Sequence, residues 1–437
     1  MVAALLAVVS LAGCASYQAR PLPEQSASAS SLSQLIGYEP SALPLDMAAV
    51  ERLVLLNNPD LRSQHAQRQA ARAQQRQDGV LPNPVIGGSV GYLMSGPGDA
   101  TAWTASISQD IASLITLRPR REAAKARADE VDASLLWEQW LTVGKARLLV
   151  VDLVEGERQI ALQQQALDGL SQRESRILKA VDAGNAERVS VAPDLAAAAE
   201  ARASLAALQR QQLDQQQQLD ALLGLTPDVV VPLSKNLPAP GIDATAIHQQ
   251  FDSVSHRRPD LVALQLGYQA QEATLRAAVL AQFPAFAIGY DASQDNSRVR
   301  NGGPAVNFTL PLFDHNQHNV AIASATRDQL RQEYTVRLAT AHDDVDALLA
   351  QYAQRDAQRR AQASATDDAA RAASQADVAA ASGLLDLRST TDLHVAAINR
   401  QLASVADEQA MLEQQMALEL LVGRGMPSSL PQDVMAP

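Results

Sequence analysis

Pro84-Val85-Ile86-Gly87-Gly88-Ser89-Val90-Gly91-Tyr92 decides the fold, because the chain uses this stretch twice. The second version runs Pro284-Ala285-Phe286-Ala287-Ile288-Gly289-Tyr290. Other landmarks repeat around it. Pro59-Asp60-Leu61 recurs as Pro259-Asp260-Leu261, Gly184 as Gly383, and Leu222-Leu223-Gly224 as Leu421-Val422-Gly423. The offsets are 200 for the two proline landmarks and 199 for the two glycine landmarks. One spacing held across otherwise divergent sequence means a single structural unit used twice. The period is too long for a solenoid. Each unit reads helix, two strands, long helix, turn, helix.

The strands follow from alternation. Val85 to Met94 places Ile86, Val90 and Tyr92 on one face. After the turn cluster Gly96-Pro97-Gly98-Asp99, residues 102–111 set Trp103, Ala105, Ile107 and Gln109 against Thr104, Ser106, Ser108 and Asp110. Two such runs joined by a polar loop predict a hairpin. In the second unit the strands are expected at 286–293 and 305–312 around a loop at 294–304. There Val306, Phe308 and Leu310 face one way, Asn307 and Thr309 the other. Strands of this length suit a tilted membrane crossing.

Each hairpin precedes a helical run of unusual length, from Pro119 to about Asp182 and from about Asn319 to Ser382. Sixty-odd residues at 1.5 Å each make a rod of roughly 95 Å. Gly184 and Gly383 close the rods, and a return helix follows each. On the first return helix, Leu205, Leu208, Leu219 and Leu222 mark a coiled-coil seam with Gln212 and Gln215 in its slots. That polar seam suits either a water-filled bore or a solvated helix pair. Pro193 is expected to bend this helix. Asn58-Pro59-Asp60 is a strong helix start: a capping side chain, a proline at the first position and an acid at the positive end of the dipole.

Composition limits the alternatives. The 437 residues contain only 3 % aromatics and carry a formal charge of -12. Few rings argue for long, closely packed helices. The absence of a basic stripe argues against nucleic acid. The only cysteine, Cys14, excludes an internal disulfide. It follows a short apolar run ending Leu11-Ala12-Gly13-Cys14, which resembles a bacterial lipoprotein box. The expected organisation is a signal segment at 1–13, an acylated tether at 14–42, a first repeat at 43–225, a linker at 226–242, a second repeat at 243–425 and a tail at 426–437. No phosphate-binding glycine loop or nucleophile motif suggests an enzyme. His315 and His318 are read as part of a loop-to-helix junction and not as a metal site.

Four strands cannot close a barrel, and an open sheet edge cannot sit in lipid. If the strands enter a membrane, several chains must share the barrel. Three copies supply twelve strands.

Asn58-Pro59-Asp60-Leu61, Arg258-Pro259-Asp260-Leu261, Phe283-Pro284 before a strand, Leu310-Pro311-Leu312-Phe313-Asp314 after one, Gly184-Asn185-Ala186 and Leu222-Leu223-Gly224 together carry a resemblance. Over about residues 40–425 the chain resembles the TolC-type outer-membrane factors, in their lipoprotein branch. The resemblance implies a mostly α-helical homotrimer with a twelve-stranded membrane β-barrel above an α-helical periplasmic tunnel. It also implies a periplasmic adaptor (membrane fusion) protein, an inner-membrane efflux pump that supplies the energy, contact with outer-membrane lipid, and no cofactor. Passive conduction of exported substrates is the expected function. The alternatives are the outer-membrane component of type I protein secretion and a periplasmic coiled-coil lipoprotein without a pore. Cys14 becomes the lipidation site. Gly184 and Gly383 mark the turns that dock the adaptor. The candidates for a gate at the tunnel end are Asp182, Glu187, Arg188, Asp377, Asp386, Arg388 and Asp392.

Overall fold

The computed structural model describes residues 17–24, 28–185, 187, 189, 191–251, 253–284 and 286–423. Cys14 and Arg188 lie outside them. The first half contains α1 (Met47–Asn57), α2 (Pro59–Asp78), β1 (Val85–Gly91), β2 (Ala102–Asp110), α3 (Ala112–Asp182) and α4 (Ala192–Leu223). The second contains α5 (Ala244–Phe251), α6 (Val254–Arg257), α7 (Pro259–Leu280), β3 (Phe286–Gln294), β4 (Arg300–Phe308), α8 (Gln317–Ala381) and α9 (Leu387–Val422). Helix, hairpin, long helix and return helix thus occur twice. With 71 and 65 residues, α3 and α8 extend about 107 and 98 Å. No helix among the described residues is long and apolar enough to cross a membrane.

The helix starts explain why the landmarks repeat. Asn58 Oδ1 accepts from the Leu61 amide at 3.0 Å and caps α2. Its Nδ2 donates to the Leu222 carbonyl at 2.9 Å, tying α2 to the end of α4. In the second unit Arg257 donates to the Val422 carbonyl at 3.2 Å. Its neighbour Arg258 grips Asp260 through two hydrogen bonds of 2.8 and 3.0 Å. Both units therefore hook their first long helix to the end of their last. Apolar packing concentrates at these hooks. Val50, Val54, Val150, Leu153, Leu219 and Leu223 form one core. Phe251, Leu261, Val345, Leu418 and Val422 form the other.

The described strands make one antiparallel sheet in the order β1-β2-β3-β4. Ile86 pairs with Ile107, Ile107 with Tyr290, and Tyr290 with Pro304. This register collects Ile86, Val90, Trp103, Ile107, Ile288, Tyr290, Val306 and Phe308 on one face. Ser89, Thr104, Ser106, Asp291, Ser293 and Asn307 take the other, because strand side chains alternate. The two hairpin tips are stapled together. Asn296 O accepts from the Asp99 and Ala100 amides, and Arg298 pairs with Asp99 at 2.8 Å.

Four expectations need correction. β4 begins at Arg300, inside the predicted 294–304 loop, and ends at Phe308. Gly302-Gly303-Pro304 reads as a turn, but the strand runs through it, Pro304 opposite Tyr290, at the loss of one ladder N–H. β1 stops at Gly91, short of Met94. α3 begins seven residues before Pro119, which lies buried within the helix and not at its first position. Pro193 sits in the first turn of α4, where it fits a helix start and does not bend an interior. Within the seam, Gln212 Nε2 donates to the Leu153 carbonyl at 3.0 Å, and its side chain fills the space left by Gly156.

The expected tether at 14–42 is also not free along its whole length. Ala29 and Leu45 make isolated bridges to Leu225 and Leu233, and Leu35 and Leu45 are buried in the first core. The Asn57 side chain bonds both the amide and the carbonyl of Ile36. Residues 28–45 therefore form a strap on the helices. Its few apolar anchors lie too far apart to show as a period.

Asp220, near the end of α4, is 1 % exposed, and neither carboxylate oxygen has a hydrogen-bond partner. Burial pushes its carboxyl up to about 6. The folded state therefore binds this proton more tightly than the unfolded chain does. The associated stability is fully present below about pH 4 and is lost as pH rises through about 6. Asp220→Asn is expected to leave stability unchanged at pH 4 and to raise it by at most about 3 kcal/mol at pH 8. Melting temperatures of the detergent-solubilised protein across this range provide the check. A mutant no more stable than wild type at pH 8 would contradict the burial argument.

Candidate gate at the tunnel end

The two turns are built alike. At the end of α3, Gly184 has φ +77°; its amide donates to the Val181 carbonyl, and the Asn185 amide donates to Ala180. At the end of α8, Gly383 has φ +69°, with matching bonds from Gly383 to Ala380 and from Leu384 to Ala379. This left-handed closure is the reason for glycine at both places. The turn surfaces share a further feature. Val189 and Leu384 are each 83 % exposed, which leaves apolar side chains at both tips.

Just inside the turns, three helices are joined by charge. Arg173 of α3 and Asp194 of α4 are 5 % and 3 % exposed at the side chain and pair at 2.9 Å. Arg388 of α9 reaches Asp194 through Nε at 3.2 Å and through a second, closer contact. Arg173 also pairs with Asp392 of α9. Asp194 thus accepts from arginines on two helices, and Arg173 donates to acids on two. The Asp194 carboxylate pushes the Arg388 guanidinium above its usual value, chiefly by hydrogen bonding. Leu170, Ala198 and Ala201 form a small apolar cluster in the same region of α3 and α4.

The predicted gate residues divide into groups. Arg388 and Asp392 join Arg173 and Asp194 in this three-helix latch. Asp386 instead caps α9 by accepting from the Ser389 amide at 2.7 Å, and this bond holds its carboxyl below the usual range. Asp377 on α8 pairs with His394 on α9 at 2.7 Å. Asp182 and Glu187 are exposed near the first turn. Arg173 and Asp194 escaped the sequence reading. An isolated arginine in a long helix looks solvated, and an acid just after Pro193 looks like an ordinary first-turn residue. Only the register of three helices brings them together.

The His315 amide bonds Gln317 and the Asn316 amide bonds Asp314 at the start of α8. Among the described residues, no group of three or more metal-ligating side chains occurs.

Comparison with known proteins agrees with this architecture. No curated protein sequence matches the chain. Solved structures match over most of its length. A membrane protein from Pseudomonas aeruginosa aligns at 19 % identity and TM-score 0.73, covering 97 % of this chain and 100 % of that one. The CmeC outer membrane channel of Campylobacter jejuni aligns at 16 % and 0.72, covering 89 % and 87 %. The outer membrane protein VceC of Vibrio cholerae aligns at 17 % and 0.70, covering 87 % and 97 %. At these identities the likeness concerns the fold. The profile described as outer membrane efflux protein matches twice, over residues 51–225 and 251–424, once for each unit. The chain belongs to the outer membrane efflux protein family, and is a transport channel and not an enzyme.

Proposed function

We propose that three copies of this chain assemble into a conduit, with a twelve-stranded barrel in the outer membrane and a helical tunnel below it. The sheet carries this reading. It presents an apolar face and a polar face, and β1 and β4 each leave an edge unpaired. Ile86, Val90, Ile107, Tyr290, Val306 and Phe308 are all exposed in the single chain. A lone sheet of this kind leaves unpaired N–H and C=O groups along both edges, which lipid does not tolerate. Joining β4 of one chain to β1 of the next pairs every edge. The apolar face then meets acyl chains and the polar face meets the pore. A coiled-coil lipoprotein without a pore gives no reason for an apolar exposed sheet. Type I protein secretion would use the same conduit, but no feature of the tunnel favours polypeptide cargo.

In this reading the conduit is passive and a pump in the inner membrane supplies energy through an adaptor. The Gly184 and Gly383 turns, with Val189 and Leu384 at their tips, are the docking points. The latch formed by Arg173, Asp194, Arg388 and Asp392 holds the inner end closed. Acyl chains on Cys14 add a membrane anchor.

Light scattering of the detergent-extracted species, with detergent subtracted, tests the assembly. Three chains of 46.6 kDa should give about 140 kDa, the twelve strands that a closed barrel needs. A water-soluble monomer would reject the barrel. Intact-mass spectrometry of the same preparation reads the lipid; an unmodified Cys14 would reject the anchor.

A further inference from the structure

α9 is fastened to α3 at several heights, by the arginine latch at one end and by Arg147 and Trp140 toward the other. Between them lies Asp152, roughly 30 Å along α3 from Arg173. Here Gln409 Nε2 donates to Asp152 Oδ1 at 2.9 Å and to Glu413 Oε1 at 2.9 Å. Its Oε1 accepts from Gln159 at 2.7 Å. Both amide hydrogens are therefore committed, one to each carboxyl. The carboxyls of Asp152 and Glu413 thus face each other across a single amide nitrogen. Two ionised carboxyls held this close repel, which favours a proton on one of them.

The surrounding charges do not replace that proton. On α3, Arg158 is engaged by Glu155 at 2.8 Å and by Glu408 of α9 at 3.4 Å. On α8, Arg355 pairs with Asp407 of α9 at 3.6 Å and only partly offsets the crowding at Glu413. Nearer the membrane end, Arg147 of α3 is held by Glu51 at 2.7 Å and by Glu419 at 3.8 Å. Each nearby cation already has acids of its own.

We propose that Asp152, Gln409 and Glu413 form a proton-operated clasp between the two halves of the chain, closed while Glu413 holds its proton and loosened when it gives that proton to water. Burial, with the neighbouring Asp152, pushes the Glu413 carboxyl up to about 7. The sign follows from linkage. A carboxyl raised by folding stabilises the folded arrangement fully below its ordinary value near 4.5. That stabilisation is lost as pH rises through about 7. Above this pH two like charges face each other across one amide. α3 comes from the first unit and α9 from the second, so the clasp joins the two units. The effect on helix contact stands by itself, whereas any effect on conduction rests on the channel reading above.

Hydrogen exchange on the full detergent-solubilised chain tests the clasp, at pH 6 and pH 8 with intrinsic chemical rates removed. In wild type, amides around 150–158 and 405–416 should lose protection about tenfold at pH 8, the equivalent of one pH unit of linkage. Glu413→Gln, which keeps a donor toward Asp152 but cannot ionise, should retain protection at both pH values. Equal loss in wild type and Glu413→Gln would overturn the proposal. If that variant fails to assemble, Asp152→Asn removes the repulsion from the other side and is judged by the same criterion. A protein that shows the Glu413-dependent difference but conducts nothing would defeat the channel reading and leave the clasp standing.

Discussion

Asp194→Ala should raise single-channel conductance severalfold, by opening the inner end of the proposed tunnel. Asp194 accepts from both Arg173 and Arg388, and Arg173 is buried. Removing the shared acid leaves Arg173 with Asp392 alone and releases Arg388 from α4. Breaking one side of a buried ion pair costs about 3–5 kcal/mol, because the remaining charge stays out of water. The helices can lower that cost only by moving apart until Arg173 reaches solvent. Movement at this position widens the end of the bore. The conductance of purified protein in planar bilayers is the measurement. Currents equal to wild type at every voltage would show that these residues brace the helices without gating them. Asp194→Asn keeps the shape and one acceptor, and should give an intermediate conductance.

Ile107→Arg should abolish assembly in the membrane, while Thr104→Arg should not. Ile107 lies mid-strand on the apolar face, in the row Ile86, Ile107, Tyr290, Pro304. Thr104 lies on the opposite face and bonds only the Ser89 hydroxyl at 2.8 Å. An arginine facing lipid near the midplane costs about 2–4 kcal/mol, and a trimer incurs that cost three times. An arginine facing the pore keeps its water, and should instead shift ion selectivity toward anions. Trimer yield from outer-membrane extracts decides the matter. Equal yields for the two variants would mean that the apolar face does not contact lipid.

The contrast between these two sites shows what the chain discloses before it folds. Ile107 and Thr104 were assigned to opposite faces by alternation alone, because a strand's period is fixed by its backbone. Gly184 and Gly383 were legible as turns for a similar reason: a left-handed closure leaves few choices of residue. Asn58-Pro59 showed as a helix start, although the bond from Asn58 to the Leu222 carbonyl did not. The latch is the opposite case. Arg388 and Asp392 were candidates, but Arg173 and Asp194 carry no local signature, since their partners lie on other helices. The start of β4 was hidden because Gly302-Gly303-Pro304 has the composition of a turn, and only pairing with β3 makes it a strand. The strap at 28–45 was hidden because two leucines spaced ten residues apart form no period.

The latch has a consequence for symmetry. At the 199-residue offset of the turns, the places of Arg173 and Asp194 are taken by Ala372 and Leu393. Duplication copied the turn but not the lock. In the proposed assembly of three chains, six helical hairpins would ring the aperture, and only every second one would hold an arginine–acid pair like Arg173–Asp194 within itself. Such an aperture would work as a three-bladed iris. The hairpins of the second unit, joined to the latch through α9, would be the blades, and those of the first unit the frame. Its opening would be paced by three equivalent releases and not by six.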